Sequence, residues 1–300
     1  MINRILSIAL LTVLSISSCG GEAASSSGTA DPVILTSATF LADITRNIAG
    51  ERLTVESLLP LGTDPHSYQP TPGDVTKIVQ SKLLIINGAE YEHFLEPLLE
   101  NAEGERDVVE ASAGLSPGTS AESEHGVDPH LWLDPNNVIT YVENIREALT
   151  HFDPDGAALY RSNADAYVTQ LKDLDVWIKD QVSQIAPEKR LLVTNHEAFG
   201  YFADRYGFTV IGAIVPGVSS DASASAQQMA SLIDQIKASG APAIFLDEVE
   251  NPALAQQIAD ETGVKIVEDL HLESLTDGPP AATYIEMMKH NVTQIVDALK

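Results

Sequence analysis

The stretch DPDGAALYRSNADAYVTQLKDLDVWIKDQVSQIAP, residues 153–187, decides how the rest of the chain is read. It holds the longest uninterrupted pattern in the sequence. From about Pro154 to Ile185, Leu159, Ala166, Leu171, Leu174, Trp177, Ile178 and Val182 recur at helical spacing. Asp153 before Pro154 reads as an N-cap followed by proline in the first turn, and Pro187 ends the run. Such a helix is about 45–50 Å long, enough to traverse two domains. A coiled-coil arm is the alternative, but its heptads are not sustained.

Outward from this stretch, short apolar runs alternate with amphipathic ones on both sides. Before it, Val33–Thr36, Thr54–Leu59 and Lys82–Ile86 read as strands, with helical segments at Phe40–Ala49, Pro72–Ser81 and Asn136–Thr150. Residues 114–126 are rich in Ser, Gly and Glu without periodicity and read as a surface loop. Beyond Pro187 the strands are Leu191–Val193, Thr209–Ile214, Ala243–Leu246 and Lys265–Val267, with helices at Phe199–Tyr206, Ala226–Ala238 and Pro252–Thr262. Strands separated by helices imply parallel sheets. The fold class expected is α/β: two lobes, residues 32–152 and 188–300, joined by one long helix over 153–187.

The N-terminus reads as an export signal over residues 1–18. Arg4 is its positive charge, and the apolar run from Ile5 to Ile16 is too short to span a bilayer. Cys19, the only cysteine, follows small residues, and an unpaired thiol in an exported chain calls for a purpose. Lipidation of Cys19, with residues 19–31 as a flexible tether, supplies one and would hold the protein at a membrane surface. The alternative is a cysteine that merely ends an ordinary signal. The chain is expected to be exported and lipid-anchored at the cell membrane, facing the periplasm or the extracellular side.

Charge narrows the partners. With 17 Lys+Arg against 43 Asp+Glu the net charge is −26, which argues against nucleic acid, since phosphate binding needs a basic footprint. An acidic field concentrates cations, although it serves solubility equally well.

Three histidines sit in dense local settings: Gly62-Thr63-Asp64-Pro65-His66-Ser67-Tyr68, Asp128-Pro129-His130-Leu131-Trp132-Leu133-Asp134-Pro135 and Thr194-Asn195-His196-Glu197-Ala198-Phe199-Gly200. His66 follows the second strand and His196 the first strand after the long helix, where α/β sheets bind ligands beyond their carboxyl ends. Three converging imidazoles form a metal site, with a fourth position for a carboxylate or water. The acidic candidates lie in Glu268-Asp269-Leu270-His271-Leu272-Glu273. Asp64 and Asp128 are expected to accept from the far nitrogens of His66 and His130. His93, His125, His151 and His290 read as ordinary surface or hydrogen-bonded histidines, with His125 a lesser candidate for transient metal capture.

Residues 62–74, 128–135 and 196–207 resemble the signatures of the zinc/manganese substrate-binding proteins of ABC transporters, and so does 283–291. The resemblance covers the chain from about residue 32. It implies two Rossmann-like lobes on a rigid backbone helix, with metal in the cleft between them for delivery to an ABC permease. It implies a binding protein and no enzyme. Carried across by residue, the ligands are His66, His130, His196 and, where the family usually has aspartate, Glu273; Asp269 and His271 are the fallbacks for the fourth. Gln69 stands where the family often has glutamate, with no consequence seen for the metal. Manganese-selective members tend to carry a carboxylate at the third position, so His196 favours Zn2+ over Mn2+ as the transported ligand. The chain is expected to act as a monomer.

Three alternatives are weighed. One is a manganese-specific carrier of the same family. A secreted zinc hydrolase is another, but position 200 is glycine where His-Glu-x-x-His needs its second histidine. The third is an adhesin built on the same fold.

Overall fold

The computed structural model describes residues 33–118, 126–218, 220, 224–247 and 250–300. The expected signal, Cys19 and the tether lie outside the described residues, as does His125. Residues 31–300 form one compact unit. No helix among the described residues is long and apolar enough to cross a membrane.

The first lobe runs β1 (Val33–Thr36), α1 (Thr39–Ala49), β2 (Val55–Ser57), α2 (Pro72–Gln80), β3 (Ser81–Ile86), α3 (Glu96–Asn101), β4 (Asp107–Glu110) and α4 (Pro135–Phe152). Its four strands are parallel in the order β2-β1-β3-β4. Helix α2 starts on a capping box between Thr71 and Asp74, with Pro72 in its first turn. Two elements escaped the sequence reading. β4 is an edge strand, exposed at three of its four residues and with an acid at each end, and α3 is only 6 residues long.

Helix α5 (Ala157–Val182, 26 residues) leaves this lobe. It is about 39 Å long, shorter than expected, because Pro154–Gly156 forms a separate 3-10 turn and the chain leaves α-helix after Val182. Its buried stripe is Tyr160, Ala164, Tyr167, Leu171, Leu174, Ile178 and Val182. Leu159 and Ala166, assigned to the stripe from sequence, face solvent instead; their neighbours Tyr160 and Tyr167 fill the core.

The second lobe runs β5 (Leu191–Thr194), α6 (Gly200–Tyr206), β6 (Thr209–Ala213), α7 (Ala226–Ser239), β7 (Ala243–Asp247), α8 (Ala253–Thr262) and β8 (Lys265–Leu270), and its sheet is again parallel, in the order β6-β5-β7-β8. Strand β7 is buried at all five residues, the signature of a strand covered on both faces. Helices α6, α7 and α8 each end on a glycine in the left-handed region, Gly207, Gly240 and Gly263.

One more helix, α9 (Tyr284–Leu299), was not assigned from sequence. Its buried residues Tyr284, Met287, Met288, Asn291, Val292, Ile295, Val296 and Leu299 keep helical spacing throughout, and Thr283 caps it by accepting from Glu286 N at 3.2 Å. It packs on α5, α1 and β8, so the C-terminus returns to the first lobe. Tyr284 N donates to Asp43 Oδ2 at 2.9 Å and Leu275 N to Thr39 Oγ1 at 2.9 Å, pinning the β8–α9 connection against α1. Full burial of each large apolar side chain on α9 contributes roughly 1.5–3 kcal/mol, so this return is a firm part of the fold.

Candidate metal centre

In each sheet the strand order reverses beside its first strand, between β1 and β3 and between β5 and β7, and ligands bind beyond the carboxyl ends at such points. The candidate residues collect there. His66 follows β2, His130 precedes α4, His196 follows β5, and Glu273 stands between β8 and α9. These four each offer one donor atom, and the four atoms lie within 4.8 Å of one another.

The donors are close enough for a single ion. Glu273 Oε1 lies 3.0 Å from His130 Nε2, 3.5 Å from His196 Nε2 and 3.6 Å from His66 Nε2, and the Nε2 atoms of His130 and His196 are 3.3 Å apart. Metal–ligand bonds of about 2.0–2.1 Å in a tetrahedron put donor atoms about 3.3 Å apart. His66 Nε2 is buried with no hydrogen-bond partner, as a ligand position requires. The side chains are 0% (His130), 1% (Glu273), 2% (His196) and 4% (His66) exposed, so an ion held here is out of water.

The two Asp-Pro-His segments fold alike. Asp64 Oδ1 accepts from His66 N at 2.9 Å and Asp128 Oδ1 from His130 N at 3.0 Å, two Asx turns with proline at the middle position. Beyond that they diverge. Asp128 Oδ1 also takes His130 Nδ1 at 2.8 Å, as expected, and so turns Nε2 toward the site. Asp64 does not reach the His66 ring. Its other oxygen is taken by the hydroxyls of Ser67 at 3.0 Å and Ser220 at 2.7 Å, and the latter contact bridges to the second lobe.

His196 has a partner that sequence reasoning missed. Glu250 Oε1 accepts from His196 Nδ1 at 2.7 Å and Asn195 Nδ2 at 2.8 Å, and its Oε2 from Asp247 N at 2.8 Å. Glu250 lies just past β7, where the strand-end rule that flagged His196 also applies. Tyr91, likewise missed, donates its hydroxyl to Glu273 Oε2 at 3.2 Å and leaves Oε1 facing the histidines. Two non-glycine residues in the left-handed region, Ala89 (φ 52°) and Glu90 (φ 63°), bring Tyr91 there. The Glu92 carboxylate holds the turn by accepting from Asn87 N at 2.5 Å and Gly88 N at 3.1 Å, so local strain serves a site residue.

Glu273 itself is fixed from both lobes: Asp247 Oδ2 accepts from its backbone N at 3.0 Å, and Trp132 holds the preceding carbonyl. Burial alone would raise its carboxyl, but His130, hydrogen-bonded at 3.0 Å, and the close imidazoles of His196 and His66 hold it well below the usual range. Burial opposes charge on the histidines too, yet Glu273 and Asp128 raise His130, and Glu250 and Glu273 push His196 up to about 10. The pocket is therefore electrostatically built for positive charge. Asp269 and His271, the fallbacks for the fourth position, do not join it and group instead with His290.

Comparison with known proteins identifies the family. The family model described as zinc-uptake complex component A, periplasmic, matches residues 34–298. The manganese-binding lipoprotein MntA of Halalkalibacterium halodurans is 36% identical over 294 residues, covering 97% of each chain. The iron-binding protein YfeA of Yersinia pestis is 34% identical over 267 residues, 87% of this chain and 84% of that one. Among solved structures, the periplasmic zinc binding protein TroA from Treponema pallidum superposes with a TM-score of 0.83 at 31% identity, covering 90% of this chain and 99% of that one. The chain thus belongs to the zinc-uptake component A family, the metal-binding components of ABC transporters, and is a binding protein rather than an enzyme.

Proposed function

We propose that this protein captures Zn2+ with His66, His130, His196 and Glu273 and hands it to the permease of its ABC transporter. The observation that carries this reading is the convergence of three Nε2 atoms and one carboxylate oxygen, all within 4.8 Å of one another and with the carboxylate oxygen 3.0–3.6 Å from each Nε2, around a buried point. Imidazole-rich donor sets suit zinc, and the Irving–Williams order places it above manganese at nitrogen sites. Because Tyr91 occupies Glu273 Oε2, the carboxylate offers one oxygen, which supports four-coordination. All four donors come from one chain, which fits a monomer carrying one ion. The lobes over 32–152 and 188–300, with 153–187 between them, would close on that ion. Export and lipidation at Cys19 would keep the carrier beside its permease, in keeping with relatives named as lipoproteins.

Manganese is the second reading, favoured by the name of the 36% identical MntA. Zinc and manganese titrations of the tag-free mature protein, repeated on Glu273→Ala, separate the two. One tightly bound zinc, weaker manganese and a marked loss in the variant are expected. Tighter manganese, or no zinc uptake, would overturn the zinc assignment.

A further inference from the structure

A second cluster of metal-binding side chains lies where β8 ends against α9. Asp269, His271 and His290 each offer one donor atom, all within 4.8 Å of one another. His290 Nε2 is 3.3 Å from Asp269 Oδ2 and His271 Nε2 is 3.8 Å from Asp269 Oδ1, with the two rings 5.3 Å apart between centroids. These spacings again approach the ~3.3 Å of a tetrahedral donor set.

The cluster is held from one side by α9. Asn291, beside His290 and buried, clamps the main chain of His271: its Oδ1 accepts from His271 N at 2.9 Å and its Nδ2 donates to His271 O at 2.6 Å. One turn on, Gln294 Nε2 donates to Asp269 Oδ2 at 3.2 Å. A single helix therefore supplies one donor and orients the other two. Exposure is graded across the cluster, with side-chain values of 1% for His271, 14% for His290 and 60% for Asp269. His290 Nε2 donates to the Asp269 carbonyl at 2.6 Å, so ion binding requires the ring to turn off that carbonyl toward the Asp269 carboxylate and to release its Nε2 proton to water.

We propose that Asp269, His271 and His290 form a second site for a divalent ion of borderline softness, with zinc the best match to two imidazoles and a carboxylate. Water completes its coordination. The exposed carboxylate makes it an open site that exchanges its ion readily, separate from the buried four-donor site although Glu273 is only two residues from His271.

Zinc calorimetry and native mass spectrometry on the tag-free mature protein test this. The wild type should take up two zinc ions, the second more weakly and readily stripped by a chelator. His290→Ala and Asp269→Asn should each abolish the second uptake and keep the first, whereas His66→Ala should do the reverse. Uptake of one ion only by the wild type, or a second uptake that survives in either variant, would overturn the proposal. Should His290→Ala disturb α9, the exposed Asp269→Asn decides.

Discussion

Trp132 Nε1 donates to the backbone carbonyl of Leu272 at 2.9 Å, and this bond ties the segment carrying His130 to the one carrying Glu273. Tyr284 OH returns to Trp132 O at 2.6 Å, while the indole stacks on Phe40 with centroids 4.5 Å apart. Trp132→Phe keeps an aromatic ring but leaves the buried Leu272 carbonyl unpaired, which costs about 1–3 kcal/mol. Urea unfolding should show that loss, and zinc affinity should fall with it because Glu273 is less firmly placed. Wild-type stability in the variant would show that the bond is dispensable.

Asp175 contributes to the acid limb of stability. It lies inside α5 and accepts from Arg205 at 3.0 and 2.9 Å, Lys179 at 2.8 Å, Tyr206 at 3.1 Å and Asn136 at 3.2 Å, joining the long helix to α6 and to the start of α4. Burial opposes its charge, but Arg205 and Lys179 outweigh burial and hold the carboxyl down at about 2 against an ordinary 3.8. Between those values the unfolded chain carries a proton that the folded chain lacks. Stability from this group is therefore full above about pH 4 and is lost as pH falls toward 2, by about 2 kcal/mol. Asp175→Asn should lower stability at pH 7 by a similar amount and flatten the acid limb in denaturant titrations. A parallel acid limb in the variant would assign it to other carboxylates.

Much of this was legible in the sequence because local chemistry and tertiary role coincide. Strands β5 and β7 are apolar runs in both readings, and the Asp-Pro-His segments announce their Asx turns. What escaped depends on contacts distant in sequence. Glu250 acts on His196 from 54 residues away, and Tyr91 reaches Glu273 across 182. On α5 the aromatic residues Tyr160 and Tyr167 carry the buried stripe, while Leu159 and Ala166, each one position earlier and also at helical spacing, face solvent. Asp64 misled by analogy with Asp128, since identical Asp-Pro-His triplets fix the backbone but not what the second carboxylate oxygen meets.

Glu250 offers a test of the His196 orientation. Its side chain is 3% exposed and its Oε1 accepts from His196 Nδ1 at 2.7 Å. Glu250→Gln preserves shape but removes the charge that favours an Nδ1–H tautomer with Nε2 free for metal. Loss of such a partner costs roughly 10–100-fold in metal affinity. Zinc competition against a chromophoric chelator should show a drop of that size, and the metal-free protein should unfold at a lower midpoint, because the Gln amide nitrogen cannot accept from the donors that both Glu250 oxygens now serve. An affinity equal to wild type would mean that the ring is held by packing alone.

Gly200 tests the corresponding support for His130. It opens α6 only four residues after His196, and a Cβ there would lie 2.9 Å from Asp128 Oδ2. Its backbone is not among the positive-φ glycines, so alanine is conformationally permitted and even favoured in the helix. The conflict is with the Asp128 carboxylate alone, whose Oδ1 accepts from both the ring and the main chain of His130. Gly200→Ala should therefore shift Asp128, loosen His130 and weaken zinc binding, while folding stability changes by no more than about 1 kcal/mol, the scale of the helix-propensity gain that offsets the contact. Calorimetric titration beside thermal unfolding separates the two effects. Reduced affinity with a near-native midpoint supports the contact, whereas unchanged affinity would show that Asp128 has room to move without disturbing the histidine.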